Sequence, residues 1–307
     1  MTSYKGKAIY QPAGKAAEYA KWACNFYVGC SNGCEYCYLK KGRGAKILGG
    51  DRPLLKKCFK DETHALEVFE KELMQNLQEL QKHGIFFSFS TDPMLPETVE
   101  LTKDAIGISV KHKVPVKILT KRVDSIHKIF EDENKAYEKV KFMAFSKLIA
   151  FGFTLTGHDE LERGASTNQE RIEAMKKLHD AGFKTFASIE PVIDFNSSGL
   201  MIYEISGYCD LINVGLESGK KYDKKELRSF IDWCNLMFPH HAKEGCIILN
   251  IYYFKDSLLK AVGIERSDLP TNCVTSDYNM FCGLPVRPHC RCVILPAKHT
   301  EWVEAPQ

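Results

Sequence analysis

Three cysteines stand within the short run GCSNGCEYCY as Cys30, Cys34 and Cys37, in the order Cys-x3-Cys-x2-Cys. That spacing lets one compact loop offer three thiolates to three corners of a cubic iron–sulfur cluster, with Gly29 and Gly33 easing the tight turns. The loop holds no fourth protein ligand. A structural zinc site is the competing reading, but zinc takes four closed ligands and usually gathers them as spaced pairs. Three cysteines on four irons leave one iron open to bind and reduce a small molecule, an arrangement suited to catalysis. A second group, Cys273, Cys282, Cys290 and Cys292, stands in a Pro- and Cys-rich tail, the last three within FCGLPVRPHCRC. These four are a candidate second metal site, for zinc or an auxiliary iron–sulfur cluster, with His289 as a substitute ligand. A thiol acting on substrate and plain unligated cysteines are the alternatives, since the spacing matches no diagnostic pattern. Cys24, Cys58, Cys209, Cys234 and Cys246 are isolated in apolar or helical surroundings and read as small core residues.

A repeated unit must position the cysteine loop: a short apolar run followed by a longer amphipathic stretch. Six strand runs are expected, at Ala23 to Val28, Ile85 to Ser90, Val114 to Leu119, Leu148 to Leu155, Phe183 to Ile189 and Leu211 to Leu216. Helices are expected at Thr63 to His83, Glu97 to His112, Asp124 to Lys147, Asn168 to Ala181, Leu200 to Tyr208 and Lys224 to Met237. In the first of these, Leu66, Phe69, Leu73, Leu77 and Leu80 recur at the three- and four-residue intervals of one buried face. Strands alternating with helices imply right-handed βαβ units and a parallel sheet covered on both faces. The expected fold is therefore α/β, a partial (β/α)6 TIM-type barrel over residues 1–255. A C-terminal cysteine-containing extension follows over 256–307, after a seventh apolar run at Cys246 to Phe254.

In such sheets ligands bind at the carboxyl ends of the strands, so the polar residues there are candidates. Glu190 ends the fifth run, and Asn213 and Glu217 flank the end of the sixth; a structural acid or a helix cap is the plain alternative for each. Arg171, in the charged pattern of NQERIEAM, is a candidate to reach a cofactor carboxylate, with part of an exposed helix face as the simpler reading. EDENKAYEKVK reads as a solvated helix face, and His240 and His241 as a loop after a helix.

The chain is 44% hydrophobic and 26% charged, enough for a large core and against disorder. A net charge of +3 is far from the basic excess that would make nucleic acid the default partner. Twelve cysteines in 307 residues fall well under the roughly 8–10% of a disulfide scaffold. The amino terminus lacks the features of a secretory signal, and no apolar run approaches the roughly 20 residues that span a bilayer. A cytoplasmic protein is expected, in a compartment where clustered cysteines hold metal or do redox chemistry.

With Tyr36 before its last cysteine, the triplet resembles the signature of the radical S-adenosylmethionine (SAM) superfamily. The resemblance implies a [4Fe-4S] cluster on Cys30, Cys34 and Cys37 whose open iron chelates SAM. It also implies reductive cleavage of SAM to a 5'-deoxyadenosyl radical that abstracts hydrogen from an organic substrate, and an electron donor such as flavodoxin or ferredoxin. The family core is a six-unit partial barrel with the cluster loop after the first strand. IYQPAGKAAEYAKWACNFYVGCSNGCEYCYLKKG, STDPMLPET and ILTKR further resemble the branch related to spore photoproduct lyase. By that resemblance Tyr36, Ser90, Thr91 and Asp92 lie at the SAM amino group and its surroundings, Lys121 at its carboxylate and Thr154 and Thr156 at its ribose. Glu190 and Asn213 join them as cofactor contacts by the strand-end rule.

One departure bears on substrate. Where the photoproduct lyase carries a hydrogen-donating cysteine, this chain reads FFSFSTD, with Ser90 at the corresponding place. A serine O–H bond is too strong to serve as that donor, so photoproduct repair is not expected. The substrate is left open, with two alternatives: a noncatalytic metal- or nucleic-acid-binding module, and a lyase-like radical enzyme acting on DNA or RNA.

Overall fold

The computed structural model describes residues 3–281 apart from 43, 131–144, 237–238, 242–246, 250, 271 and 277. Its frame is a run of parallel strands in chain order: β1 (Ala23–Cys24), β2 (Ile85–Phe87), β3 (Val116–Thr120), β4 (Ile149–Thr154), β5 (Lys184–Val192), β6 (Leu211–Leu216) and β7 (Tyr252–Phe254). A short strand, Ile9–Tyr10, pairs antiparallel with β1 and completes an eight-stranded sheet among the described residues. The fold is α/β. Five helices fill the crossovers or follow them: α1 (Glu62–Gln75), α2 (Val99–Lys111), α3 (Asn168–Asp180), α4 (Phe195–Ile205) and α5 (Lys224–Leu236), with α6 (Asp256–Val262) after β7.

Strand order that never reverses, with crossovers of one hand, puts every helix on the same face of the sheet. The burial pattern shows this. Cys24, Ile85, Phe87, Val116, Ile118, Phe151, Phe153, Ile212 and Val214 pack into one large cluster with Phe69 and Leu73 of α1, Ile106 of α2, Met175 of α3 and Ile202 of α4. The alternate strand residues Ala23, Phe86, Ala150, Phe186 and Leu211 form a second cluster on the opposite face, closed by Tyr253, Val274 and Met280. Period-two alternation thus separates a helix-covered outer face from an inner face.

The helix starts follow local chemistry. Asp61 caps α1 by accepting from the His64 N–H, and Thr167 and Glu170 form a reciprocal capping box on α3. The helix expected through His83 breaks at Asn76, whose side-chain amide bonds back to the Glu72 carbonyl; Leu77–His83 then restarts it. Buried Glu72 accepts from the backbone N–H groups of Lys7, Ala8 and Ile9, tying the antiparallel edge strand to α1.

Several expectations change. The first apolar run is two strands: Ala23–Cys24 joins the sheet, while Tyr27–Val28 pairs with Leu54–Leu55. The crossover helix between β5 and β6 starts earlier than expected, at Phe195, where Asp194 accepts from the Ser197 N–H. His240 and His241 belong to a short antiparallel strand, Pro239–His241, paired with Ile247–Leu249. Cys58 is exposed, because it lies in the turn between Leu54–Leu55 and the α1 cap, while Cys24 and Cys234 are buried as expected. EDENKAYEKVK, Cys246, Cys282, His289, Cys290 and Cys292 lie outside the described residues.

Candidate active site

At the carboxyl ends of the strands, a cavity of about 290 Å³ is lined by all three clustered cysteines together with Tyr36, Thr91, Asp92, Lys121, Thr154, Glu190 and Glu217. The cysteine loop is held at both ends. Cys30 N–H donates to the Gly50 carbonyl, 3.0 Å away, and Gly29 at φ +85° approaches Arg52 so closely that a Cβ would lie 2.3 Å from its carbonyl oxygen. Only glycine fits there. The loop after β4 braces the other side: Glu35 N–H bonds Leu161, and Gly164 N–H bonds Asn32.

Asp92, from the end of β2, knits this loop to β3. One carboxylate oxygen accepts from Met94 N–H at 3.0 Å and Thr120 hydroxyl at 2.6 Å, the other from Asn32 amide at 2.7 Å and Lys121 N–H at 2.8 Å. Its four acceptor positions are thus engaged by the protein. Two buried oxygens beside it, Thr91 Oγ1 and Asn32 Oδ1, have no hydrogen-bond partner. Buried polar atoms without partners mark a place built for a ligand's donors or acceptors.

Lys121 projects into the same cavity, its ammonium 5.5 Å from the centre of the Tyr36 ring. Burial acts to lower its pKa, but the negative potential of Cys34 and Glu162 outweighs this and raises it, so the side chain is a cation. Tyr36 donates to Glu162, which forms a buried ion pair with Arg171; Arg171 in turn donates to the Thr154 carbonyl. Arg171 is fully buried, correcting its reading as an exposed residue: it shares the inward stripe of α3 with Ile172, Met175 and Leu178.

Across the mouth, Glu190 accepts from Tyr19 hydroxyl at 2.6 Å and pairs with buried Lys255 at 2.8 Å. Gly215 makes room, since a Cβ there would lie 2.7 Å from Glu190 Cδ. Glu217 pairs with Lys41 at 2.8 Å, joining the end of β6 to the chain beyond the cysteine loop.

Three candidates fall outside the cavity wall. Ser90 is buried and donates to the Tyr27 carbonyl. Thr156 turns toward α3, where its N–H bonds Asn168 and its hydroxyl accepts from His158. Asn213 donates to Ala187 within the sheet. Cys273 is buried with its thiol on Asn235, and burial pushes its pKa up to about 12. Glu162, Asn32, Tyr19 and Lys255 were not singled out by sequence; Asn32 lay within the cysteine run, and the others are joined to the site only by the fold.

The thiols fit a cluster better than a lone ion. The loop supplies three thiols and no fourth protein ligand, whereas a closed zinc site takes four. A cubic cluster takes each thiolate on a different iron and so needs its three sulfurs around one cavity rather than on one point. Burial, then Asp92, pushes Cys30 up to about 11, and burial raises Cys34, so ligation must offset the cost of ionising both.

Comparison with known proteins agrees. An uncharacterized protein of Methanocaldococcus jannaschii, MJ0683, is 25% identical over 183 residues, 57% of this chain and 61% of that protein, so the chain spans less than two thirds of this relative's length. Two crystal structures of SuiB from Streptococcus suis share the fold. The one bound to S-adenosylmethionine has a TM-score of 0.51 at 14% identity, covering 78% of this chain and 51% of SuiB. The one bound to the precursor peptide SuiA has a TM-score of 0.51 at 15% identity, covering 81% and 52%. The profile of the radical SAM superfamily matches residues 24–197, more than half of the 307. With its three cysteines gathered on one cavity at the carboxyl ends of a parallel sheet, the chain belongs to the radical SAM superfamily.

Proposed function

We propose that this protein is a radical SAM enzyme that cleaves SAM reductively and uses the resulting 5'-deoxyadenosyl radical to abstract hydrogen from an organic substrate. The observation that carries the reading is the meeting of Cys30, Cys34 and Cys37 with a half-buried cation, Lys121, and the unpartnered Thr91 hydroxyl in one cavity. A [4Fe-4S] cluster held by the three thiolates supplies the electron and the open iron. The chain's own residues do the positioning. Lys121 takes the SAM carboxylate by a charge-assisted contact, and Thr91 offers its free oxygen to the amino group. Asp92, fully engaged by protein donors, holds the ends of β2 and β3 and the cysteine loop in register. Glu162 and Arg171 fix Tyr36 between the last two cysteines, and the Tyr19–Glu190–Lys255 group closes the far wall against water.

Unreversed strand order and a separate inner apolar face support a partial (β/α)6 TIM-type barrel over 1–255, with 256–307 as an extension. The kinship with the spore photoproduct lyase branch rests on the sequence runs around the cysteines, Asp92 and Lys121, and Ser90 in place of the donor cysteine supports a different substrate. An intracellular one-electron donor of the flavodoxin or ferredoxin type reduces the cluster.

The test is anaerobic reconstitution with iron and sulfide, reduction, and detection of 5'-deoxyadenosine from SAM. Wild type is expected to form it and Cys30→Ala is not. A fully loaded wild type that forms none, or a Cys30→Ala variant that forms as much, refutes the reading.

A further inference from the structure

A second cavity, of about 360 Å³, opens at the amino ends of the strands, away from the cysteines. Ala20 and Lys21 before β1, His83 before β2 and Lys117 at the start of β3 line it. Lys117 lies across the sheet between Phe86 and Ala150, both members of the inner apolar cluster, while its neighbours Val116 and Ile118 belong to the outer one. A lysine therefore occupies an inward position that a parallel sheet normally fills with an apolar side chain. Leu119 on the same strand and Lys121 just past its end line the first cavity. The β3 segment thus presents one cation to each cavity, four residues apart, or roughly 13 Å at the rise of a strand. The ring of Tyr19 lies on both walls, its hydroxyl turned to Ser188 and Glu190 on the side of the cysteines.

What distinguishes Lys117 is the lack of a counter-charge. It is only 9% exposed, and no described residue makes a hydrogen bond or ion pair with its ammonium. Burial alone acts on its pKa, lowering it to about 8. The other deeply buried cations, Arg171 and Lys255, each have a carboxylate partner. Among the described residues no Asp or Glu stands in the wall of this second cavity, which adds Lys21, itself paired with Glu79 at 3.1 Å, and the hydroxyl-bearing Ser276 and Tyr278. An unpaired charge taken out of water costs stability unless something neutralises it.

We propose that this cavity is a second ligand site, for a small molecule carrying a phosphate or carboxylate group whose oxygens pair with Lys117. Inorganic phosphate and acetate are the probes, each titrated against the full chain at constant ionic strength with chloride as control. Phosphate or acetate is expected to raise the melting temperature saturably in wild type and not in Lys117→Met, and the anion that saturates at the lower concentration identifies the headgroup. Lys117→Met in chloride alone is expected to melt no lower than wild type, since it removes an unpaired buried charge. A wild type that responds to both anions as it does to chloride overturns the proposal, and so does a Lys117→Met variant with an undiminished response. Should that variant not fold, acylation of Lys117 in wild type, followed by peptide mass spectrometry, decides instead. At least tenfold slower labelling in a saturating anion supports the site, and unchanged labelling refutes it. None of these readouts requires the iron–sulfur cluster or SAM, so the result stands apart from the proposed radical chemistry.

Discussion

Replacing Arg171 by methionine tests the chain of contacts that holds the cysteine loop. Both side chains of the Glu162–Arg171 pair are completely removed from solvent. Arg171 also donates to the Thr154 carbonyl and, at 3.3 Å, to the Thr167 carbonyl. Arg171→Met leaves the Glu162 carboxylate buried with the Tyr36 hydroxyl as its remaining close partner. Removing one member of a buried pair costs about 3–5 kcal/mol, because the other charge is left uncompensated. Against a typical total of about 5–15 kcal/mol, that is a large share of the stability. Glu162→Gln costs less, because Arg171 keeps the half-exposed Asp159 carboxylate at 3.6 Å. The double variant strands no charge and is expected to cost no more than Arg171→Met alone, so the cycle is sub-additive. Urea unfolding followed by far-UV circular dichroism measures all four proteins. An Arg171→Met cost under about 1 kcal/mol, or a double variant whose cost equals the sum of the singles, refutes the argument. Iron content after reconstitution should fall with stability in the single variants, because Glu162, which holds Tyr36 between Cys34 and Cys37, loses either its partner Arg171 or its own charge.

Two further outcomes follow from single residues. Asp92→Asn places an amide nitrogen where a carboxylate oxygen accepts two hydrogen bonds; at about 1–3 kcal/mol for each stranded buried group, the loss should reach about 2–6 kcal/mol in urea unfolding. A loss below about 1 kcal/mol would show that Asp92 does not join the strands to the loop. His158 bonds Glu160 at 2.7 Å and Asp194 at 2.6 Å; burial opposes its charge, but the hydrogen bonds to Asp194 and Glu160 prevail and raise its pKa above 6.5. A raised folded-state pKa gives stability that is complete below 6.5 and is lost as pH climbs through the raised value. The urea midpoint of wild type should therefore fall more than that of His158→Gln between about pH 6 and pH 9, and parallel curves would remove His158 from the account.

How much of this site could be read from sequence depends on how far apart in the chain its parts lie. The strands of the sheet were legible because a strand covered on both faces is a continuous apolar run, and Leu211–Leu216 appears with the expected bounds. The cysteine loop was legible because its ligands are local, and Thr91, Asp92 and Lys121 through the resemblance that STDPMLPET and ILTKR carry. Arg171 carried a usable signal that its charge obscured: it stands four residues before Met175 and seven before Leu178, on the buried stripe of α3. Thr156 misled for the opposite reason. It keeps the parity of Thr154, but the strand ends at Thr154 and the backbone turns to meet Asn168.

Tyr19 and Lys255 carried no local signal at all. They are 236 positions apart, and they meet because β7 docks beside β6 while the segment before β1 crosses the mouth of the sheet; the Lys255 ammonium then lies 4.0 Å from the centre of the Tyr19 ring. Lys117 shows the same limit from inside a strand. In VKILT it reads as the polar member of an alternating run, which normally faces water, and only the apolar cluster packed on that face makes the position a buried one. Pattern tells that Lys117 and Val116 face opposite ways; it does not tell which face the helices cover. That assignment comes from the unreversed strand order, which commits every helix to the side of Val116 and Ile118 and leaves Lys117 to the interior. The topology that gathers the cysteines with Lys121 at one end of β3 is thus the same topology that isolates a second cation at the other.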